Sequence, residues 1–193
     1  MYNKLISLFK DWNSKINLSA IRDDDWIKIK HIEDSLVGNK ILHNLFDKND
    51  KILVCDVGTW SGFPLLPLAI ENPNWDFISI ESVKKKVNAV KDIAEKLGLK
   101  NIKFIWDRAE KVKNIKADVV TARAVAYIDK LLKFIYHLVK KWWYFVLYKL
   151  DSPEEYEDIK KMAKKYNLDI KIVEKYKLFP DDITRVIYVL QKK

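Results

Sequence analysis

The stretch Lys51–Ile70, KILVCDVGTWSGFPLLPLAI, constrains the fold of this chain more than any other. An apolar run, Ile52 to Cys55, ends in Asp56. The turn Val57-Gly58-Thr59-Trp60-Ser61-Gly62 follows, and Phe63-Pro64 opens a second apolar segment of helical character. Strand, tight turn and helix form a nucleotide-binding βα unit, in which the turn's backbone approaches a ligand and the first helical amides face it. Glu81 closes the next strand-like run, Phe77 to Ile80, where a carboxylate can accept both hydroxyls of a ribose. With two glycines rather than three, the turn also fits an ordinary βα connection.

The rest of the chain alternates around this unit. Residues 2–15 place Leu5, Ile6, Leu8, Phe9 and Trp12 at helical spacing, and 13–19 reads as a loop. Residues 23–46 predict one or two helices, opened by Asp23, Asp24 and Asp25, with Gly38 as the expected break. Strand-like runs lie at 51–57, 76–81, 102–106, 117–122, 143–149 and 168–175, with helices at 64–71, 83–97, 127–141 and 153–166. A seventh strand, 184–191, follows the sixth with no helix between them. The expected fold is α/β, a seven-stranded, mostly parallel sheet with an antiparallel edge strand. Residues 1–193 read as one domain: a helical preface over 1–46 and a Rossmann-like core over 47–193.

Hydrophobic residues make up 49% of the 193, and no apolar run reaches the length of a membrane span. The amphipathic start, Met1 to Phe9, lacks the long apolar core of a signal peptide. Cys55 is the single cysteine and sits inside the first strand, so the expected compartment is the cytoplasm, with no membrane partner. The net charge of +9 suits a polyanion such as RNA, and equally a lysine-rich proteome.

Seven strands with a final antiparallel pair is the layout of S-adenosylmethionine-dependent methyltransferases. A nicotinamide site would want a third glycine, where this turn has Phe63, Pro64 or Leu65, and no Gly-Lys-Ser/Thr follows a strand. Methylation of an exocyclic amine usually employs an Asn/Asp-Pro-Pro-Tyr/Phe turn after the fourth strand. That strand here runs into Ala122-Arg123-Ala124-Val125, and Asn72-Pro73 lies elsewhere. Pyrimidine C5 chemistry needs a thiolate, and Cys55 reads as core. Guanine N7 has a free lone pair at neutral pH, so its methylation requires chiefly that donor and acceptor be held in line.

The motifs now resemble a known family, the bacterial 16S rRNA guanine-N7 methyltransferase G family, also called the glucose-inhibited division protein B family. The resemblance rests on Asp11 to Ala20 (DWNSKINLSA), His31 to Leu36 (HIEDSL), Asp56 to Pro67, Glu81 to Lys86 (ESVKKK), Arg108-Ala109-Glu110 and Thr121 to Ala126 (TARAVA), with Lys149 after the fifth strand. It covers nearly the whole chain. It implies methyl transfer from S-adenosylmethionine to N7 of a guanine in a decoding-region loop of 16S ribosomal RNA in the small subunit. Carried over by position, Gly58, Gly62 and Phe63 would line the methionine and adenosine side and Glu81 would hold the ribose. Ala109 and Glu110 would border the adenine, and Arg123 would stand beside donor and acceptor. From the residues alone, Glu110 also fits a solvated helix, Arg123 a structural ion pair and Phe63 plain core. His31 and Asp34 share a helix face, as a hydrogen-bonded pair or as RNA contacts, and no third ligand suggests a metal. Lys84, Lys85 and Lys86 fit a solvated helix start or phosphate contacts. The expected state is a monomer.

Two features depart from the family. The chain begins at what resembles the second N-terminal helix, the expectation being a truncated start or a shortened lineage. Trp60 stands at the second glycine of the turn, and Trp142-Trp143 stands where related folds commonly have Gly-Gly. The chain holds 4 glycines and 7 tryptophans, where average usage would give about 13 or 14 glycines. The expectation is that Trp60, Trp142 and Trp143 are glycine codons read as tryptophan. Trp12 matches the family, and Trp26, Trp75 and Trp106 stay open. If Trp60 is real, the alternative is a catalytically impaired RNA-binding or ribosome-assembly protein; a separate alternative, weakly disfavoured by the +9 charge, is a methyltransferase of the same fold acting on a small molecule or protein.

Overall fold

The computed structural model describes residues 1–47 and 49–193. Two helices, α1 (Tyr2–Ile16) and α2 (Asp24–Ile27), lead into a π-helical turn (Lys28–Glu33) and α3 (Asp34–Leu45). The core then alternates through β1 (Leu53–Val57), α4 (Leu65–Glu71), β2 (Asp76–Glu81), α5 (Lys84–Leu97), β3 (Ile102–Trp106), β4 (Ala117–Arg123), α6 (Ile128–Ile135), β5 (Val139–Leu150), α7 (Pro153–Lys165), β6 (Leu168–Tyr176) and β7 (Arg185–Lys192). The seven strands form one sheet in the order β3-β2-β1-β4-β5-β7-β6. The first five pair in parallel, while β7 runs antiparallel to both β5 and β6. The antiparallel strand thus lies one place in from the edge, which β6 forms.

Side chains along a strand point alternately to the two faces, so each central strand supplies two cores. Val54, Phe77 and Val119 pack with α3, α4 and α5. Their neighbours Cys55, Ile78 and Val120 pack with α6 and α7. Leu5, Phe9 and Ile27 of the N-terminal helices join the first core.

Three expectations are corrected locally. Gly38 does not break a helix; it lies inside α3, where a Cβ would stand 1.9 Å from the Tyr148 hydroxyl. Glycine there makes room for a buried tyrosine that donates to the Ser35 carbonyl at 3.2 Å. The helix expected over 127–141 ends at Leu138 after a short 3-10 turn, and β5 begins at Val139. The register of β5 on β4 slips between Ala117 and Val119, and Trp142 takes a φ of 71° inside that bulge. The third concerns Trp143, which packs against the core, its ring stacked 5.6 Å from Phe46. Its φ is not in the left-handed region, so nothing in the backbone asks for glycine there.

Candidate active site

The order of strands reverses between β1 and β4, and ligands in open α/β sheets bind outside the carboxyl ends of strands at such a switch point. Two cavities open there. The larger, about 780 Å³, is lined by Gly58, Trp60, Ser61 and Phe63 of the turn, by Arg123 to Tyr127 after β4, by Lys149 and Glu155 around the end of β5, and by His31 and Asp34. The smaller, about 200 Å³, is lined by Gly58, Trp60, Glu81, Ser82, Ala109 and Glu110. Gly58 and Trp60 are the residues common to both.

Gly58 has a φ of +69°, and a Cβ would come within 2.7 Å of Val125 Cγ2, so glycine lets the two loops bordering the cleft meet. Gly62 (φ +91°) is filled behind by Leu66, at 2.6 Å from an added Cβ. Glu81, 3% exposed, is fixed by backbone. Its Oε1 accepts from the Val83 amide at 2.8 Å and its Oε2 from the Trp60 amide at 3.1 Å. The carboxylate therefore holds the turn and still presents free lone pairs to the smaller cavity. Ala109 is buried beside it, and Glu110 is exposed, 3.7 Å from Arg108. Phe63 is both core and cavity wall, stacked on His31 with centroids 4.8 Å apart.

Arg123 ends β4 and turns toward the N-terminal helices. Its guanidinium donates to Asp34 Oδ2 at 3.0 Å, to the Lys30 carbonyl at 3.1 Å and to His31 Nδ1 at 3.2 Å. A guanidinium only donates, so Nδ1 must be the bare nitrogen and the imidazole N–H lies on Nε2, 3.0 Å from Ser19 Oγ. Burial, then the Arg123 charge, lowers the His31 pKa to about 3, and the ring is neutral. Asp34 Oδ1 accepts from the Tyr176 hydroxyl at 2.7 Å and faces Arg185 at 3.6 Å. Sequence spacing carried no sign of Tyr176 and Arg185, which approach Asp34 only once β6 and β7 have paired. It also passed over Glu155, whose Oε1 lies 2.7 Å from Lys149 Nζ at the end of the larger cavity. Asp56 is fully buried below the turn, accepting from Thr121 Oγ1 at 2.7 Å. Burial raises its pKa to about 6.

The three-lysine run at the start of α5 is partly engaged: Lys86 sits 3.9 Å over the Trp60 ring and Lys84 4.6 Å over Trp106. Among the described residues, no group of His, Cys, Asp and Glu is arranged to hold a metal, and no helix is long and apolar enough to cross a membrane.

Residues 1–186 match the family described as rRNA small subunit methyltransferase G (GidB). The chain belongs to that family. A ribosomal RNA small subunit methyltransferase G from Lysinibacillus sphaericus (strain C3-41) is 34% identical over 197 residues, covering 99% of this chain and 81% of the relative. The same-named protein of Clostridium novyi (strain NT) is 39% identical over 171 residues, covering 84% and 68%. Among solved structures, magnesium protoporphyrin IX methyltransferase from Synechocystis PCC 6803 with bound SAM superposes with a TM-score of 0.68 at 17% identity, covering 98% of this chain and 97% of that one. A SAM dependent methyltransferase from Aquifex aeolicus gives 0.66 at 17% identity, over 96% and 97%. These two show the fold. The chain is an S-adenosylmethionine-dependent methyltransferase of the class I fold, and its family is one of ribosomal RNA methyltransferases.

The residues around the cleft fit that donor on both sides of position 60 and not at it. Glu81 offers a carboxylate to ribose hydroxyls and Gly58 a bare backbone. The indole of Trp60 occupies the wall between the two cavities. Its φ of 45° is a conformation that costs a non-glycine residue roughly 1–2 kcal/mol.

Proposed function

We propose that the chain methylates guanine N7 in 16S ribosomal RNA of the small subunit, in the decoding-region loop. The observation that carries this reading is the absence of a free base in the larger cavity among the described residues. His31 Nδ1 is occupied by Arg123, Asp34 by Arg123, Arg185 and Tyr176, and Glu155 faces Lys149. Glu155 Oε1 accepts no hydrogen bond but lies against the Lys149 ammonium, so an acceptor that must first lose a proton finds no uncommitted group there. Guanine N7 brings its own lone pair, so the site's contribution is orientation.

S-adenosylmethionine supplies the methyl group when bound. The chain's own residues divide the remaining work. Glu81 holds the ribose from the smaller cavity, with Ala109 and Glu110 at the adenine edge. Gly58, Gly62 and Phe63 shape the floor toward the methionine end. Arg123 fixes the wall of the larger cavity through His31 and Asp34, and His31 in turn backs Phe63. The base enters unpaired, since its reacting edge must leave the stack. We place this activity in the cytoplasm, in a single-domain monomer with no membrane partner.

The test is methyl transfer to small subunits carrying guanine or 7-deazaguanine at the acceptor. Transfer should appear with guanine, as 7-methylguanosine, and vanish with the deaza base, which has carbon at that position. Transfer of equal rate to both would place the methyl on another atom. The second reading, a catalytically impaired RNA-binding protein, draws on Trp60 alone. It predicts a native protein that carries tryptophan at position 60 and has no affinity for S-adenosylhomocysteine.

A further inference from the structure

Among the described residues, five other than glycine have positive φ: Asn17, Trp60, Ala124, Trp142 and Asn167. Asparagine visits this region routinely because its short side chain bonds locally, and a bulky aromatic residue there is an outlier. Two of the seven tryptophans lie in it, and this backbone is what separates them from the other five, since Trp106 is as exposed (56%) and Trp26 likewise lacks an indole hydrogen bond. Trp75 is 2% exposed in the core, and Trp143 stacks on Phe46. Trp12 donates from its indole to Asp92 at 2.7 Å, and Trp106 to the Ser82 carbonyl at 3.0 Å. Trp26 lies under Lys30, 4.4 Å from its ring. Trp60 and Trp142 are 50% and 58% exposed, and each ring meets a lysine from its own neighbourhood, Lys86 and Lys141. No indole hydrogen bond holds either one among the described residues.

The glycines show the complementary pattern. Three of the four, Gly58, Gly62 and Gly98, sit at positive φ, and the fourth, Gly38, makes room for Tyr148. Every glycine thus stands where another residue fits badly, while two further positions with glycine's backbone carry the largest side chain available.

We propose that the working enzyme has glycine at positions 60 and 142, and that both codons are UGA. This triplet is stop in the standard code, tryptophan in one widespread bacterial code and glycine in another, so one codon accounts for the excess of tryptophan and the deficit of glycine together. The consequence at position 60 is functional and rests on reading the cleft as the donor site. Glycine keeps the amide that donates to Glu81 and removes the indole shared by the two cavities. They then join into one groove running from Glu81 past Gly58 to Phe63, with a nucleoside at one end and an amino-acid tail at the other. Position 142 lies in the β5 bulge, away from the cleft, so glycine there relaxes the bulge and leaves donor binding alone. Trp143, with ordinary backbone and a packed ring, is excluded from the assignment.

The gene and the protein from its own cells are read first. Codons 60 and 142 should be UGA, codons 75 and 143 UGG, and the native peptides spanning 60 and 142 should carry glycine masses. UGG at 60 and 142, or tryptophan in those peptides, overturns the proposal. Calorimetry with S-adenosylhomocysteine then compares the chain with tryptophan at both positions with its Trp60→Gly and Trp142→Gly variants. Trp60→Gly should bind at least 100-fold more tightly than the tryptophan form, and Trp142→Gly should bind like it. Equal affinity of the tryptophan form and Trp60→Gly overturns the claim that the indole closes the groove. If UGA is found and no variant binds, the donor reading of the cleft has failed while the glycine assignment stands.

Discussion

The two ends of the sheet make the same backbone demand and put it to different use. At the carboxyl end of β1 a residue with φ 45° lies in the wall of the cleft, and at the start of β5 a residue with φ 71° lies in a bulge away from both cavities. At the first, the side chain decides whether a groove is open. At the second it decides only how comfortably a strand bends. A glycine-like conformation is therefore not a functional signal until its neighbours are known. Glu81 on the Trp60 amide makes the first turn part of a site. Gln191 of the neighbouring β7 donating to the Trp142 carbonyl at 2.8 Å makes the second part of a strand bulge inside the sheet.

The largest effects come from removing what each end is packed around. At the site end, Arg123→Ala leaves Asp34, 4% exposed, with Arg185 at 3.6 Å as its remaining charge partner, and strips His31 and the Lys30 carbonyl of a donor. Breaking a buried pair this way costs about 3 kcal/mol or more. At the far end, Trp143→Gly deletes the stack on Phe46 and costs a similar ~3 kcal/mol. Urea unfolding measures both. A loss of under about 1 kcal/mol at Arg123 would mean that the guanidinium is free for substrate rather than built into the fold. Turnover at 37 °C should fall with Arg123→Ala even where the protein stays folded.

Glu81→Ala comes next. In the Trp60→Gly background it should weaken S-adenosylhomocysteine about 100-fold, or ~2.7 kcal/mol, since it removes the proposed ribose acceptor and frees the amides of residue 60 and Val83. Unchanged affinity would move the ribose elsewhere. No substitution at the β5 bulge should alter this number.

Much of this comparison was legible in the sequence, for physical reasons that differ by element. Strand, turn and helix at 51–70 declare themselves locally, because a continuous apolar run, glycine and an apolar helix lie within twenty residues of one another. Gly58 and Glu81 were readable because each is fixed by its own strand end. The cluster at Asp34 was not, since Tyr176 and Arg185 reach it from more than a hundred residues away. Gly38 misled for a related reason. A mid-helix glycine reads as a weakness until Tyr148, from β5, fills the missing Cβ's place. The bulge at Trp142 was hidden because a strand's slippage depends on its partner, so the run 139–141 resembled the end of a helix.

The site end should also respond to acid in a way the far end does not. The folded pKa of His31 is about 3 against an ordinary 6.5, so as pH falls below 6.5 the unfolded chain gains a proton that the folded chain refuses, and stability is lost. Asp56 works in the opposite sense. Its folded pKa of about 6 lies above the ordinary 3.8, so between pH 6 and 4 the folded chain holds the extra proton and gains stability as pH falls. The two nearly offset each other across that window, each at up to ~1.4 kcal/mol per pH unit. His31→Gln keeps an acceptor for Arg123 and removes the titration. The variant should grow more stable from pH 6 to pH 4 while the parent changes little. Parallel curves for the two would show that His31 ionises normally in the fold.

The smallest effect sharpens the comparison most. Trp142→Gly should raise unfolding free energy by about 1 kcal/mol, the strain released when a left-handed conformation passes to glycine, less the entropy glycine returns to the unfolded chain. The ring it gives up is 58% exposed, with Lys141 5.0 Å from its centroid, so little burial is lost. Trp60→Gly should gain less than Trp142→Gly without ligand and more with it, because its chief consequence is an opened groove and bound ligand adds stability by mass action. Thermal unfolding with and without S-adenosylhomocysteine separates the two. A ligand-dependent shift at position 142, or none at position 60, would erase the distinction between a turn that serves a site and one that serves a strand.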